Sequence, residues 1–559
     1  MAHKFMDFFD RELDGLHQAA LFLALAAIIS KLLALLRDRF LAGAFGAGKT
    51  LDIYYASFII PDYIYNFLLL LVSANALIPI FIEKISQSSG EGRDFLSRVF
   101  SIFFVGTLAF MALMFFLIPY LTPFVVPGFS ADERAQVNIF SRILLLSPFL
   151  LGLSNLVSSA IQSLRKFFIY ALAPVFYNVG IILGILVFYK WWGLSGVVLG
   201  VAAGAFLHFS IQLPSLIRAG FCPSFVSKIN GDEIKNIVKL SFPRALGLTL
   251  NQLVLTVITA VASVLGAGSI AVFNLAINLQ TIPLTVIGMS YGIAAFPTLA
   301  RLHLKNEKEK FIENVLVAGR HIIFWSFPAT VLFIVLRAQI VRTVLGAGAF
   351  TWADTRLTAA SLALLSLAIA GQGLMFLLVR AYYAAGRTKT PLLINFFSSF
   401  FTIAGVFSFL RIFNAQSGFR EFLTGILKVK EVAGAEMLIL PLIFSVGTII
   451  NALLLWVYFQ KDFGKIFFRL KKTAADISLA SLAIGIVAYV FLAIFSDVFD
   501  IRTFVGIFSQ GFLAGLCGIA AGIFVLKILK NKELEEITFF LKRSIGRLPI
   551  VAREPEKLP

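Results

Sequence analysis

Long apolar stretches recur along the whole chain and are separated by short polar connections. Each stretch has about 20 or more mostly apolar residues, the length that an α-helix needs to cross a bilayer. The pattern therefore predicts an all-α polytopic membrane protein with about 14 transmembrane helices. The predicted spans are 18–45, 50–82, 97–121, 135–163, 168–189, 194–217, 236–265, 269–299, 314–340, 352–384, 390–412, 436–460, 473–496 and 502–527.

Charged residues interrupt the first stretch, AALFLALAAIISKLLALLRDRFLAGAFGAG, which covers residues 19–48. Lys31 lies near its middle, and Arg37, Asp38 and Arg39 follow within two turns. A Lys or Arg at the centre of a spanning helix costs roughly 2.5–3.5 kcal/mol on insertion scales. The cost is tolerable when the side chain faces a water-filled cavity, so these charges are candidate cavity residues.

Two pairs of motifs indicate an internal repeat. A Gly-Ala-Gly motif begins at Gly46 and again at Gly266, 220 residues later. A Pro-x-x-x-Asn motif occurs at 174–178 and at 391–395, an offset of 217 residues. Because six spans separate corresponding positions, both repeats insert with the same orientation. This predicts two parallel six-helix lobes followed by two C-terminal helices.

The loop between the last two spans of the second lobe differs from the other, shorter connections. It mixes charges with Phe419 and Phe422, which favours an amphipathic helix on the outer surface, with a disordered insertion as the alternative. The predicted segments are an amphipathic cytoplasmic N-terminus (1–17), an N-lobe (18–217), a cytoplasmic linker (218–235), a C-lobe (236–412 and 436–460) with its outer loop (413–435), two further spans (473–527) and a basic cytoplasmic tail (528–559).

The basic residues fall mainly on one side of this topology. With the N-terminus inside and the ends of spans counted with the connections they adjoin, the cytoplasmic segments hold 32 of the 48 Lys and Arg residues and the outer segments 11. The other five, Lys31, Arg37, Arg39, Arg142 and Arg244, lie within spans. This bias follows the positive-inside rule and predicts that both termini are cytoplasmic. It also accounts for the net charge of +18 without nucleic acid as a partner. A basic inner surface attracts anionic membrane lipids, which are therefore expected partners.

The amino-acid composition further limits the class of protein. Hydrophobic residues make up 59% of the chain and charged residues 14%, and the mean hydropathy is +0.91, so a soluble protein is excluded. Cys222 and Cys517 are far apart, and no His, Cys and acid cluster has metal-ligand spacing, so neither a metal nor a cofactor is expected. No Gly-rich loop precedes a Lys-Ser/Thr pair, which argues against ATP-driven transport by this chain alone.

Several segments, in order, carry a resemblance to a known family: SKLLALLRDRFLAGAFGAGKTLDIYYASFIIPD, ANALIPIF, ALAPVFYNVGIILG and RAYYAAGRTKTPLLIN. Over roughly residues 18–460 the chain resembles the lipid II flippase family, MurJ/MviN, within the multidrug and lipid-linked oligosaccharide exporters. The resemblance implies fourteen helices, a central cavity between the lobes, and a groove from the last two helices for a lipid tail. It also implies translocation of undecaprenyl-pyrophosphoryl disaccharide-pentapeptide for peptidoglycan synthesis.

The first span contains most of the candidate site residues. Lys31 stands where the family usually carries Arg, and Arg37 and Asp38 match its Arg-Asp pair. Cations in a cavity can form charge-assisted hydrogen bonds with a diphosphate, so Lys31 and Arg37 are predicted to bind substrate. Asp38 and Arg39 are predicted gating or salt-bridge residues. The alternative for this charged triplet is a helix end that reaches the outer interface.

Asp52 matches an acidic position of the family near the start of the second span. If Thr50 is the N-cap, Asp52 lies in the first turn, where the helix dipole favours a carboxylate. A gating salt bridge from Asp52 to Arg37 or Arg39 is the alternative.

Three positions depart from the family pattern. Tyr65 and Asn66 follow the second-span proline where Arg is typical, and Asn278 stands where the eighth span usually has Arg. Arg244 replaces a small residue and is predicted to supply compensating charge from the second lobe, unless it lies near the cytoplasmic interface. The predicted substrate-binding set is Lys31, Arg37, Arg244 and Asn278.

Together these features predict a flippase that moves lipid II from the inner to the outer leaflet of the bacterial cytoplasmic membrane by alternating access. The missing arginines leave open another lipid-linked oligosaccharide, and a multidrug exporter or a non-transporting cell-wall scaffold is a further alternative. We expect a monomeric transporter without enzyme activity, with cell-wall synthesis proteins as candidate partners. Coupling to the membrane potential or to an ion stays open. The membrane potential is a candidate because moving one charge across 100 mV is worth about 2.3 kcal/mol.

Overall fold

The computed structural model describes residues 16–72, 74–164, 166–226, 231–464 and 467–545. All regular elements in these ranges are helices, which confirms the predicted all-α class. The predicted amphipathic segment 1–17 lies almost entirely outside the described residues, and so does 546–559 of the predicted tail. The backbone alone is described at 16–24, 69–72, 74–76, 79, 167, 231–245, 248, 467–469 and 540–545.

The first half of the chain forms eleven α-helices with one π-helical turn, within the described residues. They are α1 (Leu16–Phe45), α2 (Lys49–Ala56), α3 (Ile59–Val72), α4 (Ala74–Gln87), α5 (Ser89–Val125), α6 (Ala131–Leu144), α7 (Leu146–Ser163), α8 (Phe167–Leu183) continued by the π-turn Gly184–Phe188, α9 (Tyr189–Trp192), α10 (Leu194–Ser210) and α11 (Leu213–Arg218).

The second half contains the longer helices of the repeat and the C-terminal pair, again within the described residues. They are α12 (Gly231–Leu265), α13 (Ser269–Leu284) continued by the π-turn Thr285–Met289, α14 (Ser290–Leu304), α15 (Lys308–Val335), α16 (Arg337–Leu345), α17 (Trp352–Ser366), α18 (Ile369–Ala384), α19 (Lys389–Ala415), α20 (Ser417–Ile426), the 3-10 turn Ala435–Leu438, α21 (Ile439–Phe463), α22 (Phe467–Ser496), α23 (Phe504–Ile528) and α24 (Lys532–Ile545).

Ten spans of the described part are long and apolar enough to cross a membrane, or eleven when α17 and α18, bent by 44°, count as one. They coincide with the predicted spans from 97–121 onward, except 236–265. The predicted spans 18–45, 50–82 and 236–265 each include residues that are undescribed or described by backbone alone. The polytopic class is therefore confirmed, and the total of 14 stays a prediction.

The second predicted span is broken between α2 and α3. Pro61 has no N–H and cannot donate to the carbonyl of Ser57, four residues earlier. The hydroxyl of Ser141 on α6 donates to this carbonyl instead, at 2.9 Å, and the hydroxyl of Ser57 donates to the Ile53 carbonyl at 2.7 Å. The break is thus stabilised by side chains, which lets Asp52 and the residues after Pro61 lie on separately oriented helices.

The helices form two compact units, of which the first comprises 1–282, 341–365 and 388–451. Within this unit α8 and α10 pack closely at facing glycines. A Cβ placed on Gly184 would lie 2.6 Å from the Cα of Gly200, so neither position has room for a side chain. Small residues at such crossings let helix backbones approach in membrane proteins.

The second unit comprises 283–340, 366–387 and 452–559. Its C-terminal helix α24 is attached through Glu533, which is buried. The Glu533 carboxylate accepts a hydrogen bond from the hydroxyl of Thr473 on α22 at 2.9 Å and lies 4.0 Å from Nε of Arg320 on α15. A charge-bearing contact therefore connects the start of the predicted tail to two long helices.

The loop 413–435 contains the ten-residue helix α20. It buries Leu423 and exposes Phe422 (64%) and Ile426 (60%), so the helix is amphipathic with an apolar exposed side. The predicted amphipathic helix, and not the disordered insertion, is therefore what the structure contains. Its location on the outer surface stays a prediction.

Candidate functional site

The charged triplet of α1 forms an ion pair inside the first unit. Nε and Nη2 of Arg37 both donate to Oδ1 of Asp38, at 2.9 and 2.7 Å. The Asp38 carboxylate is buried, while 20% of the Arg37 side chain stays exposed. Arg37 is thus held in place by its neighbour, and its side chain is not fully enclosed.

Asn278 connects this pair to the second repeat. Its Nδ2 on α13 donates to the other carboxylate oxygen of Asp38, Oδ2, at 3.1 Å. The residue that replaces the arginine of the family pattern is therefore a partner of Asp38. Of the predicted site residues, the structure brings together Arg37, Asp38 and Asn278.

Lys31 lies on the same helix, six residues before Arg37. Helix α1 runs without interruption from Leu16 to Phe45, so the helix is not broken at Ala34, between these two cations. The Lys31 ammonium is half-buried and makes no hydrogen bond or ion pair with any residue of the described part. On a straight helix the two cations are about 9 Å apart along the axis.

Arg39 binds the end of another helix. Its Nη1 donates to the carbonyls of Thr343 (2.7 Å) and Val344 (3.3 Å), in the last turn of α16. These carbonyls have no partner within their own helix, and a cation there also complements the negative end of the helix dipole.

Asp52, in the first turn of α2, is buried, with 1% of the residue exposed. Its carboxylate lies at the start of α13. Its Oδ2 accepts a hydrogen bond from the N–H of Gly268 (2.6 Å) and its Oδ1 accepts one from the N–H of Ala271 (2.8 Å). The carboxylate therefore caps the helix of the second repeat. The predicted role for Thr50 is wrong, because the N-cap of α2 is Gly48.

Three loops with the same tripeptide meet beside these side chains. Gly-Ala-Gly occurs at 46–48, at 266–268 and a third time at 346–348. We call this set the three-loop cluster. The N–H of Ala349 donates to the carbonyl of Gly43 at 2.8 Å, and a Cβ on Gly46 would lie 2.8 Å from the Ala349 carbonyl. The third copy, which the repeat offset of 220 residues does not reveal, thus packs against the first.

Asp354 repeats the role of Asp52 on the other side of the three-loop cluster. Its Oδ2 accepts hydrogen bonds from the N–H of Thr351 at 2.8 Å and from the N–H of Ala47 at 3.4 Å. Each of the first two loops therefore donates a backbone N–H to a carboxylate from a distant part of the chain. Sequence analysis missed Asp354, although it follows the last glycine of the third Gly-Ala-Gly by six residues, as Asp52 follows that of the first by four.

Other polar residues within the spans have interhelical partners, as expected. The Gln212 amide donates to the Ser154 hydroxyl and accepts from the Ser158 hydroxyl, both at 2.6 Å, and Nδ1 of His208 lies 2.7 Å from the Ser154 hydroxyl. Arg244 belongs to α12, but its side chain lies outside the described residues. No group of three His, Cys, Asp or Glu within the described ranges could hold a metal ion.

A family model described as Lipid II flippase MurJ matches residues 41–509 of the chain. The chain belongs to the MurJ family. One MurJ relative, the probable lipid II flippase of Thermotoga maritima, is 27% identical over 518 residues, which cover 92% of this chain and 97% of the relative. The probable lipid II flippase MurJ of Rickettsia prowazekii is 25% identical over 394 residues, which cover 68% and 76%.

The fold agrees with the MurJ assignment. A solved lipid II flippase MurJ in an inward closed conformation has 24% sequence identity and a TM-score of 0.71, and the match covers 91% of this chain and all of that one. An inward-facing multidrug resistance MATE transporter of the MOP superfamily has 13% identity and a TM-score of 0.61, with 82% and 99% covered. MurJ membership confirms the predicted family, the transporter class without enzyme activity, and a multi-pass protein of the bacterial inner membrane.

Proposed function

We propose that this chain moves lipid II from the inner to the outer leaflet by alternating access, and that Arg37 and Lys31 hold its diphosphate. The family assignment supports lipid II, a lipid-linked precursor, as the substrate. The observation that carries the proposed site is the Arg37–Asp38–Asn278 group, which links both repeats and leaves the Arg37 side chain partly exposed.

The charges of α1 suit a diphosphate for a physical reason. A diphosphate carries about two negative charges and cannot enter hydrocarbon unaided, whereas N⁺–H···O⁻ bonds are about twice as strong as neutral ones. Lys31 has no partner in the described part, so its ammonium can bind one phosphate without losing another contact. Arg244 is the proposed third cation, supplied by α12.

The three-loop cluster is the proposed outer gate. The carboxylates of Asp52 and Asp354 and close backbone contacts hold its loops together, and these contacts join residues of both repeats. Opening requires that Asp52 release two backbone N–H groups and that the glycine contacts separate. The cations of α1 lie on the helix that ends in the first loop, so substrate binding and gate opening act on one rigid element.

The orientation and the energy source belong to the same proposal. The excess of Lys and Arg in alternate connections supports cytoplasmic termini, with the three-loop cluster outside. Membrane potential or an ion gradient would reset the cationic site. We further propose a monomer in contact with anionic lipids and with cell-wall synthesis proteins.

A multidrug exporter shares the fold but fits the side chains less well. A cationic drug requires a carboxylate that is free to pair with it. Asp52 already accepts two backbone hydrogen bonds and is buried, so it is unavailable for this purpose.

The test is transport in cells depleted of their own flippase. We expect the wild-type chain to restore growth and external labelling of lipid II. Lys31→Ala and Arg37→Ala should abolish both at normal expression, while Lys305→Ala, an exposed cation of the connection after α14, should not. A wild-type chain that is expressed but never restores labelling would contradict the substrate. Normal activity of both cavity variants would contradict the cation site.

A further inference from the structure

One face of α3 carries polar side chains that the proposed diphosphate site does not use. Asp62, Tyr65 and Asn66 are spaced i, i+3 and i+4, so they lie on the same side of the helix. Ile64, on the opposite side, is almost completely buried. The polar face is therefore turned away from the packed interior of the unit.

The exposed carboxylate on this face favours contact with water over contact with lipid. Asp62 is exposed and lies within the predicted second span, where a carboxylate in contact with hydrocarbon would be very costly. Neither the Asp62 carboxylate nor the Asn66 amide has a hydrogen-bond partner or an ion pair in the described part of the chain. Two polar groups within one helical turn thus remain available to a ligand.

Tyr65 is held in place by a neighbouring helix. Its hydroxyl accepts a hydrogen bond from Nδ2 of Asn155 on α7 at 3.0 Å, and both residues are half-buried. A fixed phenol ring beside an unpaired carboxylate and an unpaired amide combines a flat apolar surface with several hydrogen-bond acceptors. A few convergent polar groups on an otherwise apolar wall are typical of a small-ligand site.

The charge of this face excludes a phosphate and favours hydroxyl donors. A carboxylate accepts at up to four positions and repels a diphosphate. Helix α3 packs against α7, and α7 and α1 both pack against α8. Nδ2 of Asn178 on α8 donates to the hydroxyl of Ser30 on α1 at 3.3 Å, so α3 and the helix that carries the cations belong to one group of packed helices. A head group with a diphosphate at one end and sugars at the other matches this arrangement.

We propose that Asp62, Tyr65 and Asn66 form a subsite for the sugar hydroxyls of the lipid-linked head group. The inference rests on the proposed function, since it divides the same substrate between two sets of residues. Lys31 and Arg37 take the diphosphate, and the α3 face takes the saccharide. The chain thereby selects a glycosylated lipid through the α3 face.

The test compares two ligands that differ only beyond the diphosphate. Purified protein in detergent is mixed with equal amounts of lipid II and undecaprenyl diphosphate, and bound lipid is counted by native mass spectrometry. The wild type should prefer lipid II by about tenfold or more, the effect expected from one hydrogen bond to a charged group. Asp62→Asn combined with Asn66→Ala should lower the preference about tenfold, and undecaprenyl diphosphate binding should stay equal or rise. The matched control, Asn414→Ala at the exposed end of α19, should leave the preference unchanged.

Each of the other outcomes contradicts a specific part of the proposal. An unchanged preference in the double variant overturns the subsite while leaving lipid II transport intact. Equal loss of both lipids would show a structural role and also overturn it. Binding of tetraphenylphosphonium that Asp62→Asn abolishes, with an unchanged lipid preference, would assign the carboxylate to cations instead. If the wild type binds no lipid II, the proposed function fails, and the subsite fails with it.

Discussion

The carboxylate of Asp52 caps a helix whose first residues lie 216 positions away in sequence. A hydrogen bond to a charged group contributes about 1.5–3 kcal/mol, and a buried acceptor that loses its donors costs a similar amount. The two bonds to Gly268 and Ala271 are therefore among the stronger contacts that a single side chain can add to the three-loop cluster. Asp52 in turn needs these two hydrogen bonds, because a buried carboxylate without donors would be unstable.

Asp52→Asn should loosen the three-loop cluster. The amide keeps the size of the carboxylate but has one accepting oxygen, so one of the two backbone N–H groups then faces an NH₂ group. We expect a cost of about 1.5–3 kcal/mol, which corresponds to tenfold or more in the open fraction. The measurement is the rate at which a water-soluble maleimide labels Ala47→Cys, a position that is 7% exposed.

The matched control for this prediction is Asp354→Asn. The contact from Asp354 to the Ala47 N–H is longer, at 3.4 Å, so its loss should raise the labelling rate much less. Cys222 is exposed and Cys517 partly so, and both are replaced by Ser for the measurement. Equal labelling rates in the two variants would contradict the role given to Asp52.

The sequence indicates which residues need a special environment but not which partners supply it. Lys31, Arg37 and Asp52 are identifiable because charges within apolar helices need water or a counter-charge. The pairing of Asn278 with Asp38 spans 240 residues and depends on tertiary packing, which no local pattern encodes. Asn278 therefore stands out in sequence only as a missing arginine.

At the scale of elements, hydrophobic length predicts the ends of the confirmed spans to within eight residues. It does not predict the break at Ser57 and Phe58, because that break depends on a hydroxyl from α6. Nor does it predict the π-turns at 184–188 and 285–289, which leave the apolar pattern unchanged. The third Gly-Ala-Gly is readable in the sequence, yet its place among the loops follows only from the packing of α16 and α17.

Gly268→Ala should prevent the three-loop cluster from closing. Gly268 has φ +90°, and a Cβ there would overlap the backbone oxygen of Ala47. A positive φ costs an alanine roughly 1–3 kcal/mol before the clash is counted. We expect faster labelling of buried Ala42→Cys and a loss of lipid II export, measured as external labelling in the depleted strain.

Gly48→Ala provides the control within the same cluster. Its φ is −120° and the nearest atom to an added Cβ is 3.8 Å away, so alanine fits without strain. Export and labelling should stay close to those of the wild type. If Gly48→Ala impaired export as strongly as Gly268→Ala, backbone contact at the cluster would not be the cause.

At the scale of the whole molecule, alternating access requires the contacts between the repeats to break in every cycle. Gly43 and Ala347 are suited to test this, because an ideal Cβ on Gly43 would lie 3.5 Å from the Cβ of Ala347. That separation is within the range of natural disulfides. A covalent link at this point would hold α1 against the loop after α16 without altering the cations of the proposed site.

Gly43→Cys combined with Ala347→Cys should therefore stop lipid II export when oxidised and restore it when reduced. Export is again measured by external labelling, in a chain whose native cysteines are Ser, and each single variant should remain active. A membrane-impermeant reductant added outside the cells should restore export if the three-loop cluster is the outer gate, because it then reaches the disulfide directly. Restoration only by a permeant reductant would reverse the proposed orientation, and undiminished export by the cross-linked chain would contradict alternating access through this gate.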